Sequence, residues 1–109
     1  TRPPQESIDM TEHNIVRGSV DGDGNIIAGS GFRVTHDRTG VYNILFDQGS
    51  FVDTPSIAAT AISNSAIDDK TRINCVVQRD GLSATGFTML TGDDDGDRSD
   101  RWFGFVAVG

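Results

Sequence analysis

Cysteine, proline and basic side chains are all scarce in this chain. Cys75 is the one cysteine, so no disulfide can form within the chain. It lies in Ile73-Asn74-Cys75-Val76-Val77, where alternation puts Ile73, Cys75 and Val77 on one face, and it reads as a buried, inert thiol. Three prolines beside 13 glycines exclude a collagen-like or proline-rich chain. Nine Lys and Arg against 16 Asp and Glu give a net charge of −7. Nucleic acids and anionic membrane surfaces repel such a charge, so neither is expected as a partner. No apolar run exceeds a few residues, so none is long enough for a membrane-spanning helix. His13 and His36 are the only histidines; with one cysteine they do not supply a zinc ligand set. His36, at a strand end beside a turn, reads as structural. No Gly-x-Ser-x-Gly elbow occurs, and neither Gly22-Asp23-Gly24 nor Gly29-Ser30-Gly31 opens a helix, so no nucleophile or phosphate cradle is marked. The expected activity is binding, not catalysis.

What is present is a succession of short alternating runs with turn residues between them. Residues 1–13 begin with two prolines, lack alternation and read as an arm or linker. From Asn14 onward the strands expected are 15–20, 26–28, 32–36, 41–46, 56–62, 72–78, 85–90 and 101–108. In 32–36 the residues Phe32, Val34 and His36 share a face; in 41–46 Tyr42, Ile44 and Phe46 do. Gly29-Ser30-Gly31 is expected to break the second run, Asp37 to Gly40 to turn the third into the fourth, and Arg79-Asp80-Gly81 to turn the sixth. The last run is apolar at nearly every position, which places it at the centre of a sheet. No helical periodicity with start and stop signals appears. Residues 14–109 therefore read as a single all-β domain, an antiparallel β-sandwich.

Two turns concentrate carboxylates at alternate positions: Asp21-Gly22-Asp23-Gly24-Asn25 and Asp93-Asp94-Asp95-Gly96-Asp97. Calcium takes oxygen ligands from such spacing, which makes Asp93, Asp95 and Asp97 the candidate ligands. Neither segment completes a helix-loop-helix calcium loop: position six of the first is Ile26, and no glutamate stands at position twelve. The alternative is a solvated turn. Trp102, just after the acidic turn, is either core packing at a strand start or a face on which a sugar ring can stack.

Several segments carry a resemblance when taken in order: Ile44-Leu45-Phe46, Phe51 with Pro55, Thr71-Arg72-Ile73-Asn74, Ser83-Ala84-Thr85-Gly86-Phe87 and Trp102-Phe103-Gly104-Phe105-Val106-Ala107-Val108-Gly109. From Tyr42 to the end the chain resembles the H-type lectin family. Gly18-Ser19-Val20, Gly31 to Thr35 and Gly40-Val41-Tyr42 are similar to C-terminal modules of phage tail fibres and bacterial collagen-like surface proteins. The resemblance implies a sandwich of about six strands, assembled as a homotrimer, with sugar sites at strand ends near protomer boundaries. It also transfers one site residue, Arg72, which equally suits an inter-subunit salt bridge. Family members carry a stacking aromatic in the loop before the last strand; here that loop is Asp93 to Asp100 and holds none. The family's disulfide has no partner cysteine here. The reading is a trimeric head, on a virion fibre or cell surface, that binds a glycan or glycosylated receptor through Arg72, Asp93, Asp95, Asp97 and Trp102. The alternative is a structural trimerisation cap without ligand.

Overall fold

A computed structural model describes residues 14–62, 74–93 and 95–109. The expected arm at 1–13, Arg72 and Ile73 at the start of the sixth run, and Asp94 lie outside the described residues. Eight strands follow in order: β1 (Ile15–Val20), β2 (Ile26–Ser30), β3 (Phe32–Arg38), β4 (Val41–Phe46), β5 (Ser56–Ile62), β6 (Asn74–Ser83), β7 (Gly86–Gly92) and β8 (Trp102–Val108). They form two four-stranded antiparallel sheets, β2-β1-β8-β5 and β3-β4-β7-β6. The expected all-β sandwich is therefore present. The count of six implied by the resemblance is corrected to eight among the described residues, the number of runs the alternation itself marks.

β8 sits between β1 and β5, the central place its apolar sequence requires. Its Phe103, Phe105 and Ala107 point inward and are buried. From the facing sheet come Phe32, Tyr42, Ile44, Phe46, Phe87 and Met89. All six phenylalanines of the chain are buried. Phe51, Phe46, Phe87, Phe105 and Phe32 form a continuous series with successive ring centroids 4.9, 5.8, 5.2 and 5.0 Å apart, mostly edge to face. Such contacts add about 0.5–1.5 kcal/mol per pair beyond area burial. A second contact sets Tyr42 against Phe103 edge to face, with centroids 5.1 Å apart. Cys75 and Val77 pack against this core as alternation predicts, and burial pushes the Cys75 thiol above its ordinary pKa.

Several boundaries depart from the sequence reading: β7 spans Gly86–Gly92 and β8 begins at Trp102, and three other strands run on through expected breaks. β2 continues through Gly29 to Ser30, because Gly29 reaches φ 92° and holds its pairing with Gly18. β3 runs on to Arg38 across a bulge at Asp37, so the turn itself is only Thr39-Gly40. β6 likewise runs through Arg79-Asp80-Gly81, where a register shift between Gln78 and Ser83 absorbs the extra residues. The β6–β7 reversal lies at Ala84-Thr85 instead.

Phe103→Ala should cost about 3–5 kcal/mol of unfolding free energy, since it leaves a cavity under a fully buried ring. Val76→Ala, half-exposed on the outer face of the other sheet, should cost well under about 1 kcal/mol. Urea unfolding of both variants checks the assignment of inner and outer faces; equal losses would contradict it.

Candidate functional site

The β1–β2 turn, the β3–β4 turn and the β7–β8 connection emerge at one end of the sandwich. The two acidic turns have the same construction. Asp21 Oδ1 accepts the N–H groups of Asp23 and Asn25, both at 2.9 Å, and the Asp21 and Gly24 N–H groups close onto the Asn25 and Asp21 carbonyls. Asp93 Oδ1 accepts the N–H groups of Asp95 and Asp97, both at 3.0 Å, and the Asp93 and Gly96 N–H groups close onto the Asp97 and Asp93 carbonyls. Gly24 and Gly96 occupy φ 93° and 88°, the left-handed conformation both turns need at their fourth residue. The first carboxylate of each turn thus replaces backbone partners, an Asx turn in duplicate. The Asn25 N–H is the foremost cause that holds the Asp21 carboxyl below its usual pKa.

Asp100 ties the end together. Its Oδ1 accepts the Gly40 N–H at 2.7 Å and the His36 Nε2–H at 2.9 Å. Desolvation raises its pKa, but the Gly40 N–H and then His36 outweigh that, and the carboxyl stays below the ordinary aspartate value. The His36 ring stacks on Tyr42 at 4.6 Å with planes 8° apart. The Tyr42 hydroxyl donates to the Gly22 carbonyl at 2.7 Å. Burial first, and the Asp100 charge second, push the phenol up to about 12, so it stays a donor at every physiological pH. Thr91, buried in β7, donates its hydroxyl to the Ser99 carbonyl at 2.6 Å. All three connections are thereby pinned to one another and to the core beneath.

The expected site residues are only partly brought together. Asp93 is half-buried and committed to its own turn; Asp95 and Asp97 are exposed. Trp102 opens β8 opposite Ile62 and, since Phe103 points inward, stands on the outer face of the β2-β1-β8-β5 sheet, half-buried. It is not part of the buried core, which corrects the core-packing reading. Arg72 lies outside the described residues. Among the described residues no group of three or more His, Cys, Asp or Glu converges as a metal site. The His36–Asp100 pair, 64 residues apart in sequence, had no signal beyond the alternation that turned His36 inward.

A scan of protein-family models and searches of curated proteins and solved structures find no match to this chain. The lectin-like resemblance rests on the quoted segments alone.

Asp100 supplies stability that is full above the unfolded aspartate pKa of about 3.9 and disappears as pH falls through its lower folded value. Asp100→Asn should therefore lower stability by about 1 kcal/mol at pH 7, a figure reduced for its partly exposed side chain. The variant should also flatten the fall in melting temperature between pH 5 and about 2.5. Parallel melting curves for the two proteins across that range would remove Asp100 from this role.

Proposed function

We propose that this domain is a glycan-binding head of a homotrimeric fibre or surface protein, displayed outside the cell or on a virion. The observation that carries this reading is the end bearing three braced turns. Turns fixed by Asp100, His36, Tyr42 and Thr91 present a pre-formed surface, and rigid placement limits the ordering cost of binding. Two groups there, Asp95 and Asp97, are exposed carboxylates suited to accept hydrogen bonds from sugar hydroxyls. Asp93 holds the turn that presents them. Arg72 is the candidate cationic contact and Trp102 the candidate stacking face. Each site is shallow and weak, and three in one assembly raise avidity.

The charge of this end narrows the ligand. Asp21, Asp23, Asp37, Asp93, Asp95, Asp97 and Asp100 outnumber Arg38, Arg98 and Arg101. Sialylated or sulfated glycans meet like charge there, so neutral glycans are the proposed class. Binding in this reading runs through hydrogen bonds from sugar hydroxyls to Asp95 and Asp97 and invokes no resident calcium. The chemistry is recognition without catalysis: His36 is held between Asp100 and the Tyr42 ring, a bracing geometry.

The second reading, a trimerisation cap without ligand, is favoured by one observation: the acidic turn is self-satisfied, as an inert tip would be.

A glycan array probed with the intact assembly separates the two. Neutral glycans should be retained, and Asp95→Asn with Asp97→Asn should weaken them at least about tenfold, while sialylated and sulfated glycans stay unbound. Arg72→Ala should abolish binding and leave the trimer whole. Silence across the array, with monomers produced by Arg72→Ala, would favour the cap. Thermal melting with calcium or with chelator should give superimposable transitions; a chelator-induced drop of several degrees would restore the metal reading.

A further inference from the structure

The outer face of the β2-β1-β8-β5 sheet differs from every other surface described. Arg17 is the one charged side chain in its four strands, and none carries a carboxylate. The other sheet carries Arg33, Asp37 and Arg38 on edge strand β3 and Arg79 and Asp80 on edge strand β6. Edge strands β2 and β5, by contrast, hold neither charge nor proline, the usual safeguards against pairing with another chain. Most of the exposed large apolar side chains belong to this sheet: Ile15 at 63 %, Ile27 at 50 %, and Ile26, Val106 and Val108 at about 40 % each.

The face also has relief. Alternation from inward-pointing Phe103, Phe105 and Ala107 turns Trp102, Gly104, Val106 and Val108 outward. Over Gly104 lies an open depression of about 250 Å³, lined by Ala58, Ala59, Thr60, Gly104, Phe105 and Val106. Beside it, Ile15 is paired with Val108 and projects into solvent. A hole and protruding apolar side chains on one face are what a self-complementary contact requires.

We infer that this face is where a second copy of the chain docks, sheet against sheet, with the depression over Gly104 receiving apolar side chains of the partner. Charge selects the occupant. Two copies at −7 each repel wherever their carboxylates approach, and of the ten carboxylates among the described residues eight lie in turns and connections and two, Asp37 and Asp80, on edge strands of the other sheet. A face free of them is one across which like-charged copies meet without that cost. Arg17, long and flexible, can carry its charge to the rim. Four strands of 5 to 7 residues, about 4.8 Å apart, give a footprint of roughly 400 Å². That is about half of what each side of a standard interface buries. The contact of the isolated chain is therefore weak and concentration-dependent. The inference goes beyond the proposed function: a face that meets its own copy pairs two chains about a two-fold axis, so this contact is distinct from the one that would build the trimer, and it is independent of the glycan part.

Sedimentation equilibrium of the full chain from about 10 µM to 1 mM tests it. The wild-type chain should associate, and Val106→Asp should raise the dissociation constant at least about tenfold. Ala58→Glu, on exposed β5 opposite Val106, should do the same and stands in if Val106→Asp fails to fold. Val76→Asp, on the other sheet's outer face, should leave association unchanged. A nitrogen–proton correlation series on the wild type needs no variant: the amides of Ala58, Gly104 and Val106 should shift with concentration. A wild-type monomer throughout, with static amides, would overturn both this inference and the trimer while leaving glycan binding to the array. Association that survives both face variants but is lost in Val76→Asp would overturn the inference alone and move the contact to the other sheet.

Discussion

The phenylalanines between the two sheets fix where everything else can be. Five of them meet in succession from Phe51 through Phe46, Phe87 and Phe105 to Phe32, and the sixth, Phe103, meets Tyr42. Every one of these rings comes from a strand or from the connection that precedes β5, so the rings define both the inner faces and the register of the strands that bear them. A slip of one residue in β8 would turn Phe103 and Phe105 to solvent and bring Trp102 and Val106 inward. The register of β8 against β1 and β5 in turn sets where the acidic connection enters, since Phe103 pairs with Val20 at the last residue before the first acidic turn. The loop-bearing end is thus an extension of the aromatic seam. Tyr42 makes the link material: its ring lies against Phe103, while its hydroxyl holds the Gly22 carbonyl and its face supports His36.

The repeated carboxylate turn explains why so acidic an end can be rigid. In a bare cluster of aspartates, mutual repulsion would favour expansion. Here three of them are taken up by backbone N–H donors: Asp21 and Asp93 inside their own turns, Asp100 across to Gly40. Each N–H brings partial positive charge to a carboxylate, lowers its pKa where the shift is resolved, and fixes the loop at the same time. Asp23, Asp95 and Asp97 remain as exposed acceptors on a scaffold that other carboxylates have stiffened. The same composition therefore divides into groups that build the surface and groups that face outward from it.

Much of the fold was legible because alternation is a local property. Phe32, Val34 and His36, then Tyr42, Ile44 and Phe46, fall on the inner face as their spacing requires, and β8 is central because it is apolar on both faces. The misplaced boundaries share one cause. A glycine or polar residue that ordinarily ends a strand can instead be accommodated as a bulge within it, as at Asp37 and at Gly81 with φ 90°. Whether it does so depends on the neighbouring strand, which local sequence does not contain. The site was less legible for the same reason. Five aspartates between 93 and 100 look alike in sequence, and only the fold makes Asp100 the partner of His36 and Gly40 while leaving Asp97 free. Trp102 was placed correctly at a strand start, but its face was decided by the pairing of Phe103.

Acidity in this chain is spatially sorted, and the sorting links its two unlike surfaces. Carboxylates are compatible with the turns because a turn exposes N–H groups that can hold them; a sheet's N–H groups are already paired with neighbouring strands. The other sheet carries Asp37 and Asp80 on its edge strands, whereas the strands of the β2-β1-β8-β5 sheet hold no carboxylate. Seven of the ten carboxylates among the described residues, Asp21, Asp23, Asp37, Asp93, Asp95, Asp97 and Asp100, lie at the turn-bearing end and concentrate a negative field there, beside a flank whose strands hold none. If copies associate through that flank, the acidic ends stay at the periphery, where solvent and salt screen them. Assembly through the sheet and recognition through the turns then make opposite electrostatic demands on separate parts of one sandwich, and β8 connects the two by turning Phe103 into the core and Val106 out of it.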